Sequence, residues 1–337
     1  MERRLNQSHL RKLWALMVVI VLTIITSSVP APCEEKGKSP EQKGLKVVTT
    51  LFPLYDFARN IGKDKIDASL LLPPGVESHS FEPRPEDIRK IAHSDIFIYT
   101  GKYMEPWVED LLKGIANKNL LIIDCSEGVT LLEGGHEHDH GKEGRSSDEE
   151  PAEGHPHEHG GKKDPHIWLD FSNAQKMVDD ILTGFVRRDP SNKPFYTKNA
   201  EQYKSKLDDL DRRFKETLSS CKTNIFIHGG HFAFGYLAKR YGLRYISAYG
   251  FSPDAEPSPK KLAELVKTMR ENGSKYIYYE ELITPRVAEA ISRETGATLL
   301  KLHGAHNLTK EELEKGVTFI SLMEGNLKNL RIGLQCP

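Results

Sequence analysis

From residue 45 onward the chain alternates two kinds of apolar pattern. Short runs rich in β-branched residues, such as KVVTTL at 46–51, predict buried strands, and segments with apolar residues at three- and four-residue steps, such as 54–61, predict helices. In the first half of the chain the predicted strands lie at 46–51, 66–72, 96–99 and 120–124, with helices at 54–61, 85–92 and 107–115.

A second alternating set fills the end of the chain. It predicts strands at 224–228, 244–248, 276–279 and 298–301, and helices at 232–241, 259–272, 285–295 and 316–330. Between the two sets, residues 191–219 keep a helical spacing of apolar residues that neither glycine nor proline interrupts after Pro194. This segment predicts one long helix.

Strands that alternate with helices indicate parallel sheets covered by helices. We therefore expect an α/β protein with two parallel-sheet lobes linked by a long rigid α-helix: an N-terminal lobe at 45–190, the linking helix at 191–219 and a C-terminal lobe at 220–337. Ligands of open α/β sheets bind beyond the carboxyl ends of the strands. A functional site is thus expected in those loops, in the cleft between the lobes.

The first 31 residues have the layout of an export signal. Basic side chains precede an apolar run at 13–25, and small residues follow, up to Ala31. Residues 32–44 are polar, and their composition predicts a flexible tether. We expect cleavage and a periplasmic location; anchoring through an uncleaved N-terminus or a lipidated Cys33 is the alternative.

Composition narrows the class of protein further. A formal net charge of −1 gives no indication of nucleic-acid binding. The four cysteines lack the spacing of a metal site, and in an exported protein they favour one disulfide whose pairing the sequence leaves open.

Six of the 14 histidines lie in one polar segment, at 134–163. This segment has almost no apolar residues, so it cannot bury a core and is expected to be disordered. Two H-x-H-x-H tracts within it offer imidazoles that bind metal without a preformed site. These auxiliary histidines are His136, His138, His140, His155, His157 and His159.

Other histidines stand at predicted strand ends, where a fixed site would be built. His79 lies in the loop after the second strand, and His166 closes the polar segment in DPHIWLD. His231 lies between a strand and a helix, with His228 as a rival three residues earlier. Three histidines from separate loops supply most of a tetrahedral zinc site.

The fourth position has several candidates. His303 and His306 follow the last predicted strand, while Glu280 and Glu281 end the strand before it. We favour His303 as the fourth ligand because it comes soonest after its strand. His306 and Glu280 are the alternatives. The two glutamates could instead contact the ligand side chains without binding the metal themselves.

Four motifs, taken in order, resemble the zinc- and manganese-binding periplasmic solute-binding proteins of ABC importers. They are G-x-x-x-H-x-x-x-P at 75–83, D-P-H-x-W-L-D at 164–170, H-x-A-F-G-Y-L-A-x-R-Y-G-L at 231–243, and the stretch 280–296. The resemblance covers roughly residues 45–334. It implies that His79, His166 and His231 are ligands, and so favours His231 over His228.

The resemblance also implies the metal and the partner. A His-rich segment is typical of zinc members of the family and usually missing from manganese members, and an all-nitrogen site suits zinc better than manganese. We therefore expect a monomeric zinc receptor that delivers its ion to an inner-membrane ABC permease. A manganese receptor is the alternative within the same family.

Two other functions compete with transport. A zinc hydrolase would keep water in the fourth position and use a general base such as Glu280, but the sequence has no H-E-x-x-H motif, and we expect no enzymatic activity. A zinc buffer or chaperone would work through the His-rich segment alone.

Overall fold

The computed structural model describes residues 44–133, 163–251 and 257–337. The predicted signal peptide at 1–31 and the tether up to residue 43 lie outside the described residues. So does the His-rich segment, apart from Lys163 at its end.

The first half of the chain forms a parallel four-stranded sheet. Its strands are β1 (Leu45–Thr49), β2 (Ile66–Leu70), β3 (Ile96–Tyr99) and β4 (Leu121–Asp124), in the order β2-β1-β3-β4. The connecting helices are α1 (Phe52–Gly62), α2 (Pro85–Ala92) and α3 (Val108–Gly114). The inner strand β3 is an apolar, fully buried stretch because helices cover both faces of a parallel sheet, whereas the edge strand β2 alternates half-buried and exposed residues.

Two long helices follow, and the sequence patterns identified only the second. The linking helix α5 spans Lys193–Leu218, close to the predicted 191–219. The 18-residue helix α4, Phe171–Arg188, was not predicted. Its signal was present, since Asp170 caps its start by accepting from the backbone N–H of Ser172 at 2.8 Å, and buried residues recur along one face.

The second half of the chain repeats the parallel arrangement. Strands β5 (Ile225–His228), β6 (Arg244–Ser247), β7 (Tyr276–Tyr279) and β8 (Thr298–Lys301) pair in the order β6-β5-β7-β8. The helices are α6 (Gly235–Tyr241), α7 (Pro259–Glu271), α8 (Arg286–Thr295), α9 (Lys310–Glu314) and α10 (Phe319–Gly333). The expected fold class is confirmed: two parallel-sheet lobes and a long helix.

The two lobes share one apolar core. Phe57 of α1 packs edge-on against Phe319 of α10, with ring centres 5.2 Å apart, and Tyr203 of α5 lies beside Phe57. The described residues from Gly44 onward accordingly form one compact unit. The division into lobes at 45–190 and 220–337 stays a prediction.

The expected disulfide joins Cys221, just after α5, to Cys336 near the C-terminus. Cys125 is a buried free thiol. Within the three described ranges, no helix has the length and apolar character needed to cross a membrane.

Candidate metal centre

Four histidines from four loops meet between the two sheets. His79 lies in the loop from β2 to α2, and His166 directly precedes a short 3-10 helix at Ile167–Leu169. His231 lies between β5 and α6, and His306 between β8 and α9. One nitrogen of each imidazole lies within 4.8 Å of the corresponding nitrogens of the other three. Each lobe therefore contributes two side chains.

The four rings stand at the corners of a nearly regular tetrahedron. Their six centre-to-centre distances all lie between 4.9 and 5.6 Å. A tetrahedron of that size has its corners about 3.2 Å from its middle, the distance expected for a ring centre when an imidazole nitrogen binds zinc at about 2.0–2.1 Å. The rings are therefore placed for tetrahedral coordination.

The nitrogen positions agree with the ring positions. His166 Nε2 lies 3.2 Å from His79 Nε2 and 3.2 Å from His231 Nε2. Two nitrogens bound tetrahedrally to one zinc ion would be about 3.3–3.4 Å apart. His306 Nε2 is buried and has no hydrogen-bond partner among the described residues. A buried polar atom of this kind calls for a partner such as a metal ion.

Carboxylates lie behind three of the four imidazoles. Asp164 Oδ1 is 2.7 Å from His166 Nδ1, and Glu280 contacts His231 Nδ1. Glu281 Oε1 is 3.6 Å from His306 Nδ1. A carboxylate on the far nitrogen fixes the ring and makes the other nitrogen a better metal ligand. The three contacts indicate that each Nε2 faces the middle of the cluster.

Residues 47–333 match one family of metal receptors. The family described as zinc-uptake complex component A, periplasmic (ZnuA), matches residues 47–333. The chain belongs to this family. It is similar to the high-affinity zinc uptake system protein ZnuA of Bacillus subtilis (strain 168), with 39% identity over 325 residues, 96% of this chain and 98% of that protein.

Other members agree in sequence and in fold. The zinc-binding lipoprotein AdcA of Streptococcus pneumoniae (strain ATCC BAA-255 / R6) is 38% identical over 85% of this chain, which spans about half (55%) of that longer protein. The metal-dependent lipoprotein YcdH from Bacillus subtilis has a TM-score of 0.71 at 38% identity, covering 86% of this chain and 98% of YcdH. The Zn(II)-bound ZnuA-like domain of Streptococcus pneumoniae AdcA also has a TM-score of 0.71, at 34% identity over 86% of this chain and 99% of that domain.

Burial keeps His79, His166 and His231 in the form that binds metal. Burial, and then the neighbouring His306, lowers the pKa of both His79 and His231 to about 3, and the pKa of His166 falls well below its ordinary value for the same reasons. Neutral imidazole is the metal-binding form. These rings therefore stay ready for a cation throughout the physiological pH range.

Two of the three carboxylates around the site, Asp164 and Glu280, have electrostatics that favour a nearby cation, whereas His303 holds the pKa of the third, Glu281, well below its ordinary value in spite of burial. Burial raises the pKa of Asp164 to about 8 and that of Glu280 to about 7. A buried carboxylate far from a positive charge is costly to ionise, and a divalent cation nearby removes that cost. The electrostatics of the described residues thus favour a bound cation.

His303, the favoured fourth ligand, is not one of the clustered imidazoles. Its ring lies between two carboxylates, with Nδ1 3.2 Å from Glu281 Oε1 and Nε2 3.6 Å from Glu312 Oε2. Burial alone would lower the pKa of His303, but Glu281 and then Glu312 outweigh this effect and raise the pKa to about 9. The ring is also held by the backbone N–H of Ala305, which donates to Nδ1 at 2.9 Å, and it lies outside the group of four clustered rings. The alternative, His306, takes the fourth place in the cluster instead.

The other candidates have supporting positions. Glu280 contacts His231 from behind and accepts from its backbone N–H at 2.8 Å. His228, the rival of His231, is buried outside the cluster, with Nδ1 3.2 Å from the backbone oxygen of His231. The six histidines of the auxiliary segment lie outside the described residues.

Sequence patterns did not identify the contacts that bring His306 to the site. Asn307 donates from its side-chain amide to the backbone oxygens of Pro73 and Val76, at 2.6 and 3.0 Å. The backbone N–H of Gly75 donates to Leu308 at 2.8 Å. These contacts join the loop that carries His306 to the loop that carries His79. The polar Asn307 directly after His306 was the one signal of this in the sequence.

Proposed function

We propose that this protein is a periplasmic zinc receptor that captures the ion with four histidines and delivers it to an ABC-type importer. The observation that carries the proposal is the tetrahedron of ring centres formed by His79, His166, His231 and His306. These four residues are the proposed ligands, each binding through one imidazole nitrogen.

The donor set supports zinc over manganese. Zinc binds imidazole nitrogen in tetrahedral sites, whereas manganese prefers oxygen ligands in octahedral ones. The family described as a zinc-uptake component, and the Zn(II)-bound AdcA domain, support the same metal.

The site also supports a receptor rather than an enzyme. Four protein ligands complete the tetrahedron, whereas a catalytic zinc site has three and keeps a position for water. Glu280, the candidate general base of a hydrolase, is held against His231. It therefore orients a ligand instead of facing an open coordination position.

Burial suggests where the ion enters. His166, His231 and His306 are all buried, while His79 is only partly buried. We propose that zinc from solvent meets His79 first and then reaches the three buried rings.

The proposal further includes a monomeric receptor, docking on an inner-membrane permease, and an auxiliary metal-collecting role for the His-rich segment.

The test is zinc content and titration of the mature protein. Elemental analysis and chelator competition would be carried out on wild type, on the triple variant His79→Ala, His166→Ala, His231→Ala, and on His93→Ala. His93 is an exposed histidine outside the cluster, so it serves as the control. We expect one tight zinc in wild type and in His93→Ala, and none in the triple variant. Undiminished tight binding in the triple variant would place the site elsewhere.

A further inference from the structure

One face of helix α6 contacts the segment of the N-terminal lobe that carries His166. Tyr236 and Arg240 lie four residues apart on α6, so they share a face. Tyr236 reaches the backbone two residues before His166, and Arg240 reaches a side chain four residues after it. The same helix begins four residues after His231. It is therefore in contact with ligand segments from both lobes.

Tyr236 joins two chain segments through a single buried hydroxyl group. The hydroxyl donates to the backbone oxygen of Asp164 at 3.0 Å and accepts from the backbone N–H of Leu132 at 3.0 Å. Asp164 in turn accepts from the backbone N–H of His166 at 3.0 Å and lies 2.7 Å from its Nδ1. The ring of His166 is thus oriented by a residue whose own backbone is held by Tyr236.

Arg240 secures the other side of the His166 segment. Its Nη1 donates to Asp170 Oδ1 at 2.7 Å and to Ser172 Oγ at 2.6 Å. Its Nε and Nη2 donate to the two carboxylate oxygens of Asp211 on α5, at 2.7 and 2.8 Å. Such two-pronged contacts use the rigid planar guanidinium group, which lysine cannot replace. Arg240 therefore connects α6 with both the linking helix and the start of α4.

Gly235, the first residue of α6, allows this helix to lie close to Asp164. A Cβ atom at this position would lie 2.5 Å from Asp164 Oδ2 and 2.8 Å from the ring of Phe232. Both distances are too short for a methyl group unless its neighbours move. The fit between α6 and Asp164 is thus tight enough for one methyl group to displace the residue that orients His166.

We propose that Tyr236 and Arg240 are positioning residues that hold His166 in register with His231, so that the tetrahedron is assembled before the metal arrives. The inference rests on the proposed zinc site. Neither side chain belongs to the histidine cluster. Tyr236 acts through its hydrogen bond to Asp164, and Arg240 acts through its hydrogen bond to Asp170. Loss of an outer contact of this kind typically weakens metal binding roughly 10- to 100-fold.

The test compares Tyr236→Phe with Tyr203→Phe in the full mature chain. Both tyrosines are 3% exposed, and the hydroxyl of Tyr203 donates to Asp56 at 2.7 Å, so each variant loses a buried hydroxyl contact. Zinc affinity would be measured by chelator competition, coordination geometry by the visible absorption of bound Co(II), and stability by thermal unfolding. We expect Tyr236→Phe to weaken zinc binding about tenfold and to reduce the tetrahedral Co(II) band. Tyr203→Phe should change only thermal stability.

Two further variants probe the same contact without removing a hydroxyl group. Gly235→Ala should weaken zinc binding, whereas Gly325→Ala, which has open space around the added methyl group, should not. Arg240→Lys keeps the positive charge but loses the two-pronged contacts of the planar guanidinium group, so it should also weaken zinc binding. Unchanged zinc affinity and Co(II) spectra in Tyr236→Phe and Arg240→Lys would overturn the inference. A wild type without a tight zinc would instead refute the zinc site itself, and the inference with it.

Discussion

The indole Nε1 of Trp168 donates a hydrogen bond of 2.8 Å to the backbone oxygen of Gly304. Trp168 lies two residues after His166, and Gly304 lies two residues before His306. The indole also packs against both imidazoles, with ring centres 5.6 Å from His166 and 5.2 Å from His306. One buried side chain therefore sets the spacing between His166 and His306, two of the proposed ligands.

Replacing this indole should loosen the site. In Trp168→Phe the buried Gly304 oxygen loses its donor and a void forms, which should cost about 2–3 kcal/mol of unfolding free energy and weaken zinc binding. Trp107→Phe, in the partly buried contact between Trp107 and Phe81, is the control and should keep wild-type affinity. Chelator competition and denaturant unfolding measure the two effects. Equal zinc affinities in the two variants would contradict the role of Trp168.

The fourth ligand can be decided by a pair of substitutions. His306→Ala removes an imidazole from the tetrahedron and should lower zinc affinity by more than the roughly 10- to 100-fold typical of an outer contact. His303→Asn leaves the four clustered rings in place, so its loss of zinc affinity should not exceed that roughly 10- to 100-fold range. Zinc titration of both variants makes the comparison, and a greater loss in His303→Asn would restore His303 as the ligand.

The metal-free protein should show a specific pH dependence at His79. Burial, and then His306 and His231, lowers its pKa to about 3, from about 6.5 in the unfolded chain. The unfolded state therefore binds more protons between these values, so the contribution of His79 to stability is present above pH 6.5 and is lost as the pH falls toward 3. At pH 5 the loss should be about 2 kcal/mol relative to pH 8.

The variant His79→Gln isolates this contribution. The free energy of unfolding of wild type, minus that of His79→Gln, should fall by about 2 kcal/mol between pH 8 and pH 5, with chelator present throughout. Denaturant unfolding at the two pH values measures it. A difference that is independent of pH would show that the His79 ring is not desolvated in the folded protein.

Deleting the His-rich segment should spare the tight site. Glu133 and Lys163 already pair in an antiparallel bridge, with an ion pair of 2.9 Å between their side chains. A two-residue Asn-Gly turn can therefore replace residues 134–162. We expect zinc titration to show one tight site retained and the weaker sites lost. Loss of all binding would favour a buffer that acts through the segment alone.

The disulfide should stabilise the fold without affecting the metal. Cys221 and Cys336 are 115 residues apart, so the crosslink should contribute about 4–5 kcal/mol by restricting the unfolded chain. The double variant Cys221→Ser, Cys336→Ser should unfold at lower temperature yet keep its zinc affinity. A change in affinity would reveal a link between the chain end and the site.

Local patterns were enough to predict most of the fold. Alternating apolar runs and helical spacings arise from the geometry of single elements, so they can be read one segment at a time. The same holds for the placement of His79, His166 and His231 in loops between elements. Helix α4 was overlooked although its cap and apolar face were visible in residues 170–185.

The choice between His303 and His306 could only be made in three dimensions. Both follow β8 by a few residues, and the shorter spacing from the strand favoured His303. Their packing differs: Glu281 and Glu312 flank the ring of His303, while Trp168 and Asn307 fix the loop so that His306 faces the other lobe. The sequence by itself determined which residue types and which loops build the site. Only the tertiary structure decided which imidazole joins the other three, because the contacts that place His306 join residues more than a hundred positions apart.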